Sequence, residues 1–362
     1  MRCLVLAIRA LGDVVLTTPI YRALKSAYPT ERLDVVVERP YGELLRGNPY
    51  LDTIYEVDRR RNTAKCLNWP AQARLIAALR RERYDVVVDL FSGPRSALMA
   101  RLTGAGYRIG EDTRHRGRGW LYTHPIPVKR EEEHLVVQKL RLIQPLVGEM
   151  PAGPIELFLL PGERDEADKR LRAEGAREGA VRVGLFPGAG WAHKQWPAER
   201  FAELGDALVA EQDADIVLFG GPHDVAACDA VATRMRHRPL LLCGAYSLRA
   251  TAARISCMNL FISNDTGPMH MAVALGVPTV ALHGPSNVRK YGPWGESVQV
   301  VSSHLPCSPC PQQEDTCHLV GRIRQECMLA ISVEDVLDAV ERLMAAATPL
   351  KWLRRERAPV RG

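Results

Sequence analysis

The 362-residue chain has no uninterrupted apolar run of about 18 residues, the length a membrane-spanning helix needs. Its opening, Met1-Arg2-Cys3-Leu4-Val5-Leu6-Ala7-Ile8-Arg9, is too short in its apolar part and wrongly flanked for an export signal, so a soluble cytoplasmic protein is expected. Without such a signal, the nine cysteines do not read as a disulfide scaffold, because a reducing cytosol keeps thiols free. No repeat of fixed period joins the halves, which sets aside a solenoid. Neither the Gly-x-Gly-x-x-Gly fingerprint nor the Walker lysine-serine pattern occurs, which removes nicotinamide oxidoreductases and phosphate-loop hydrolases. Aromatic residues are not interleaved with the basic clusters, and no nucleic-acid-binding module is present, so nucleic acid is not an expected partner.

With 46% hydrophobic and 25% charged residues, the chain can build two ordinary domains, each with its own core. Its formal charge is +6 and the excess is local: Arg59-Arg60-Arg61, Arg114-His115-Arg116-Gly117-Arg118 and Arg354-Arg355-Glu356-Arg357. Such clusters suit a phosphate-bearing partner, an anionic membrane face or an acidic glycan; solvated loops would look the same.

Short β-branched runs separated by helical patterns predict buried parallel strands. In the first half they are Leu4 to Ile8, Leu33 to Val37, Thr53 to Val57 and Tyr84 to Leu90, with helices over about 16–27, 69–81 and 131–147. The proline- and glycine-rich stretch Gly148 to Pro154 reads as a linker. The alternation then restarts with strands at Val181 to Phe186, Asp215 to Phe219, Leu240 to Leu242, Leu260 to Ser263 and Thr279 to Leu282. This predicts an α/β protein of two doubly wound parallel-sheet domains facing across a cleft. The expected divisions are 1–155, 156–331, a C-terminal helix over 332–347 packing back toward the first domain, and a basic tail over 348–362. Ser332 and Asp335 have capping-box spacing at that helix. The tail segment Leu350 to Arg355 is basic and amphipathic, which fits contact with an anionic membrane or a frayed end.

Three segments carry chemistry. Ser263-Asn264-Asp265-Thr266-Gly267-Pro268-Met269-His270 lies where a strand passes into a helix; Asp265 or Thr266 can cap it and Pro268 suits its first turn. The unpaired N–H groups and partial positive charge at such an end suit a diphosphate, Gly267 allows close approach, and His270 either donates to phosphate or packs against the sheet. Pro187-Gly188-Ala189-Gly190 follows a strand and precedes Lys194-Gln195-Trp196-Pro197, so its amides and Lys194 can face the same anion. Arg9-Ala10-Leu11-Gly12-Asp13 follows the first strand; Asp13 either projects into the cleft as a proton acceptor or caps the next helix.

Together, Leu11-Gly12-Asp13-Val14-Val15-Leu16-Thr17-Thr18-Pro19, the Gly188–Pro197 segment and Asp265 to His270 resemble glycosyltransferase family 9, the lipopolysaccharide-core heptosyltransferases, in order and spacing over about Met1 to Ala346. The resemblance implies a GT-B fold. It implies an inverting, metal-independent transfer of a heptose from ADP-heptose to an acidic lipid-linked acceptor, with no cofactor and peripheral contact with the inner face of the membrane. By the same resemblance, Asp13 is the general base, Lys194 and the amides around Gly188, Ala189 and Gly190 clamp the diphosphate with help from Thr266, Gly267 and His270, and Asp265 is a further residue of the donor site. His223 stands where relatives carry a ribose-binding glutamate, which leaves the nucleotide base less secure. Tyr246 falls where a residue covers the base, although a plain surface tyrosine fits as well. Arg59, Arg60, Arg61 and Lys65 fall on the acceptor side. Cys307, Cys310, Cys317 and Cys327 have partly zinc-like spacing, and a structural thiol cluster is the alternative. A transferase of another donor or acceptor, or a nucleotide-sugar-binding protein without turnover, remains open.

Overall fold

The computed structural model describes residues 1–29, 31–58, 69–117, 119–128, 133–244, 246–310 and 326–346. Two compact units divide at Leu160–Pro161. The first holds one sheet of β1 (Arg2–Ala7), β2 (Arg32–Glu38), β3 (Thr53–Val57), β4 (Val86–Asp89), β5 (Tyr107–Glu111) and β6 (His124–Ile126), ordered β3-β2-β1-β4-β5-β6. The second holds β7 (Arg182–Phe186), β8 (Asp215–Gly220), β9 (Leu240–Cys243), β10 (Leu260–Asn264), β11 (Thr279–His283) and β12 (Val298–Ser302), ordered β12-β11-β10-β7-β8-β9. All pairings are parallel.

The central strands are apolar because helices cover both faces of a parallel sheet. Leu4, Val5 and Leu6 of β1 and Leu260, Phe261 and Ile262 of β10 have no exposed surface. At roughly 1.5–3 kcal/mol for each such side chain, burial outweighs any local preference of the connecting loops and fixes which residues enter the sheet. Registers such as Leu6 opposite both Val36 and Asp89, and Ile262 opposite both Leu185 and Val280, follow from it.

In each sheet the strand order reverses between the first and fourth strands, β1 and β4 in one unit, β7 and β10 in the other. Loops leaving the carboxyl ends of such a pair diverge to opposite faces and leave a crevice, the usual ligand position of this architecture. The buried Asp34 of β2 serves stability instead: Arg32 Nε donates to it at 2.9 Å and the Tyr84 hydroxyl at 2.5 Å.

The extended segment 151–160 belongs to the first unit, since the Glu156 N–H donates to Thr18 Oγ1 at 3.0 Å, Ile155 is buried and Tyr50 meets Phe158 edge to face. Val336, Val340 and Leu343 of the C-terminal helix, Val333–Ala346, enter the core of the second unit beside β11, β12 and the helix Ala198–Gln212. Its capping box forms, with Asp335 N–H on Ser332 Oγ and Ser332 N–H on Asp335 Oδ2, both at 3.0 Å. No helix among the described residues is long and apolar enough to cross a membrane.

Candidate functional site

In the first unit, Asp13 occupies the first turn of the short helix Leu11–Leu16 just past β1, and the N-cap is Ala10. Asp13 therefore does not cap the helix. Its side chain is 18% exposed and accepts from Arg9 Nε at 3.2 Å. Burial pushes its carboxyl above the usual carboxylate range, while the charges of Arg9 and Lys139 and the bond from Arg9 oppose that shift. Phe91, which follows β4, forms the floor: Lys139 Nζ stands 4.3 Å from its ring centroid and the Arg9 guanidinium carbon 5.4 Å.

The Phe91 loop is held by the buried Asp89, which accepts from the N–H groups of Phe91 and Ser92 at 3.1 and 2.9 Å and from the Tyr122 hydroxyl at 2.8 Å. Burial raises the pKa of Asp89 as well, against those donors. The switch point of the first sheet thus carries a desolvated carboxylate bonded by Arg9 and within charge range of Lys139, both cations lying against the Phe91 ring.

The second unit has a matching arrangement at β7 and β10. Asn264, at the end of β10, donates through Nδ2 to the carbonyls of Pro187 and Gly188 at 2.8 and 3.2 Å and accepts from Trp196 N–H at 3.0 Å. One buried amide thereby ties both ends of the Gly188 loop to the sheet. Lys194, in the 3-10 turn Ala192–Lys194, donates to Asp265 Oδ2 at 2.7 Å, and the Ser286 hydroxyl bonds the same oxygen.

Burial opposes ionisation of Asp265, but His283, Lys194 and the Ser286 bond outweigh it and hold the carboxyl down to about 2. His283 is fully buried, and its burial lowers its own pKa against the pull of Asp265. Lys194 is the cation that bonds Asp265 directly. Thr266 is the N-cap of the helix Gly267–Ala274 and makes no side-chain capping bond; His270 lies buried one turn in. With Asp265 bound to Lys194 and Thr266 not capping, the positive end of this helix faces the Lys194 pair without a side-chain cap.

The structure brings Gly188, Lys194, Asp265, Thr266, Gly267 and His270 to neighbouring strand ends. His223 is exposed at the end of β8, but its neighbour Asp224 accepts from Gly221 N–H at 2.9 Å and presses on the glycine loop. A Cβ built on Gly188 would lie 2.2 Å from Asp224 Oδ1, whereas one on Gly190 would meet open space. Tyr246 is placed differently: the Arg254 guanidinium lies 4.1 Å over its ring and its hydroxyl meets Glu174 at 3.4 Å, so its described contacts are not with the phosphate-loop residues. Arg59, Arg60, Arg61, Lys65 and Cys317 lie outside the described residues, as does the tail. Cys307, Cys310 and Cys327 are in no disulfide among the described residues. Cys310 N–H donates to Pro285 O at 2.8 Å, and Cys327 Sγ would lie 3.0 Å from a Cβ at Gly284. Among the described residues no three His, Cys, Asp or Glu side chains are grouped to hold a metal.

A family model described as glycosyltransferase family 9 (heptosyltransferase) matches residues 72–320. The chain belongs to glycosyltransferase family 9. A lipopolysaccharide heptosyltransferase 3 of Escherichia coli is 28% identical over 349 residues, 93% of this chain and 97% of its own. A solved family 9 glycosyltransferase of Veillonella parvula superposes with a TM-score of 0.81 at 26% identity, covering 96% of this chain and 97% of that one. The structure of Escherichia coli ADP-heptose lipopolysaccharide heptosyltransferase II gives 0.78 at 23% identity, over 95% and 99%, and shares the fold. The two six-stranded parallel sheets are those of the GT-B type, and the glycosyltransferase is an enzyme by family.

Lys139, Phe91, Asp89, Asn264, Ser286 and His283 escape the sequence reading. Asp89 and Asn264 left one usable signal, a polar residue closing an apolar strand run; Lys139 sits in the helix Leu135–Val147 with no local mark. The glycine loop of this family 9 member supplies a paired prediction. Gly188→Ala is expected to destabilise by roughly 1–3 kcal/mol, since the short Asp224 side chain is pinned by Gly221. Gly190→Ala should leave the melting temperature unchanged. Equal melting of both variants in a thermal scan would contradict the packing described.

Proposed function

We propose that the protein transfers a heptose from ADP-heptose to an acidic, lipid-linked acceptor of the lipopolysaccharide core, with inversion at the anomeric carbon and without a metal ion. The observation that carries the donor half is the Lys194–Asp265 pair beside the start of the helix Gly267–Ala274, at the switch point of the second sheet. The diphosphate displaces Asp265 as the partner of Lys194 and takes N–H bonds from Gly267 and from the loop Gly188, Ala189 and Gly190. His270 assists, and Thr266 helps shape the entry. Fixed positive groups then stabilise the departing diphosphate.

Asp13 takes the proton of the acceptor hydroxyl as that oxygen attacks the sugar carbon, a single displacement. Desolvation makes it a stronger base than a solvated aspartate, while the Arg9 and Lys139 charges favour its ionised form against that burial. Arg59, Arg60, Arg61 and Lys65 are the proposed contacts for acceptor carboxylates or phosphates. The exposed His223 gives less support for the adenosine than Lys194 gives for the diphosphate, so a donor with another base is the second reading.

The test is incubation with a heptose-deficient core glycolipid and separate nucleotide sugars, followed by mass spectrometry and NMR of the product. The expected result is one added heptose from ADP-heptose, in the inverted configuration. Product formed only from a UDP-sugar would establish the second reading, and donor binding without product would indicate a binding protein.

A further inference from the structure

Trp120 is 73% exposed and Leu98 51%, on a part of the first unit that the proposed reaction does not use. They sit on elements packed together: Leu98 on the helix Pro94–Leu102, Trp120 on the 3-10 turn Gly119–Leu121. The helix turns Ala97 and Ala100 inward and leaves Leu98 and Arg101 on the outside. The Trp120 ring is held outward, its Nε1–H donating to the Gly117 carbonyl at 2.7 Å.

The surroundings are basic. Arg101 is close enough to Arg108 for the two charges to repel, which with burial lowers the pKa of Arg108. Arg108 in turn donates to the carbonyl of Leu121, next to Trp120, at 3.0 Å. His115 is exposed in the same loop, and the acid beside it, Asp112, is bound by Arg114 through Nε and Nη2 at 3.0 and 2.6 Å. The surface therefore combines an indole with one polar edge tied down, an exposed leucine and an excess of positive charge.

We propose that this face of the first unit docks on an anionic phospholipid membrane, with Trp120 and Leu98 entering the headgroup boundary. Indole rings favour that boundary because one end is apolar and the other is wet. Arginines beside them add attraction to negative lipid. A second copy of the chain is disfavoured on charge, because an isologous contact sets this basic face against itself. The inference deepens the reading of a lipid-linked acceptor, and its measurement does not depend on that reading.

The full chain is sedimented with vesicles of phosphatidylethanolamine and phosphatidylglycerol, and with vesicles of phosphatidylcholine alone, none carrying acceptor. The chain is expected on the anionic vesicles and not on the neutral ones, with binding that falls as salt rises. Trp120→Ser combined with Leu98→Ser is expected to lower partitioning about tenfold, and Arg101→Ala about fivefold. Both variants should keep the wild-type melting temperature and nucleotide-sugar affinity, which separates membrane docking from folding and from the transfer reaction. Wild-type partitioning by the double variant, or binding that disappears only when residues 348–362 are removed, would overturn the proposal. So would sedimentation velocity showing a dimer that Trp120→Ser dissociates.

Discussion

Asp13→Asn is expected to lower kcat for sugar transfer by roughly 10²–10⁴-fold and to leave nucleotide-sugar affinity unchanged. Asparagine keeps the volume and the contact with Arg9 but cannot take a proton. Because the Asp13 carboxyl is raised above its ordinary range by burial, with Arg9 and Lys139 pulling the other way, the wild-type kcat should rise with pH through a single ionisation above the solvated aspartate value of about 3.9. In Asp13→Asn that limb should be absent.

Stability runs in the opposite direction to activity at this residue. A carboxyl with a raised folded-state pKa favours folding below the unfolded-state value, and that contribution is lost as pH rises through the folded one. At neutral pH Asp13 is thus a burden on the fold, so Asp13→Asn should melt no lower than wild type there. Loss of turnover together with a lowered melting temperature would instead mark Asp13 as structural.

Lys194→Met is expected to weaken nucleotide-sugar binding by roughly 10–100-fold, the range for a lost charged hydrogen bond. It should also destabilise by about 1–3 kcal/mol, because Asp265, 8% exposed, keeps its charge and loses its cation. In the wild type the Asp265 carboxyl is held down to about 2, so its contribution is present above about pH 4 and disappears as pH falls toward 2. The deficit of Lys194→Met should therefore be largest at neutral pH and shrink in acid, where the orphaned carboxyl takes up a proton. Adding Asp265→Asn should restore the stability but not the affinity. If the double variant regains both, Lys194 serves only to neutralise Asp265.

The central strands are legible in the sequence because burial on both faces demands continuous apolar runs. β5, β6 and β12 are not. Tyr107 to Glu111 is polar at both ends, His124 to Ile126 is three residues with a proline at an edge of the first sheet, and Val298 to Ser302 is only half-buried at an edge of the second. Chain-local parts of the site, such as the Gly188 loop and the Thr266–Gly267 helix start, are readable for the same reason that turns are: the residues that shape them are neighbours. The Lys194–Asp265 pair joins residues that follow different strands, and the sequence alone offers Asp265 as a cap or a donor-site residue. Phe91 comes under Arg9, and Lys139 comes within charge range of Asp13, only once distant parts of the first unit have packed, which no local pattern announces. The end of the C-terminal helix follows the same logic, since its apolar stripe has no label saying which core it enters.

The central claim is that the donor diphosphate lies at the carboxyl ends of β7 and β10. A crystal structure of the protein with ADP tests it most directly. Phosphate oxygens are expected within hydrogen-bond distance of the Gly267 N–H and of Lys194 Nζ, with the Lys194–Asp265 bond lengthened or broken. ADP bound in the first unit, or phosphates away from Lys194 with its bond to Asp265 intact, would contradict it.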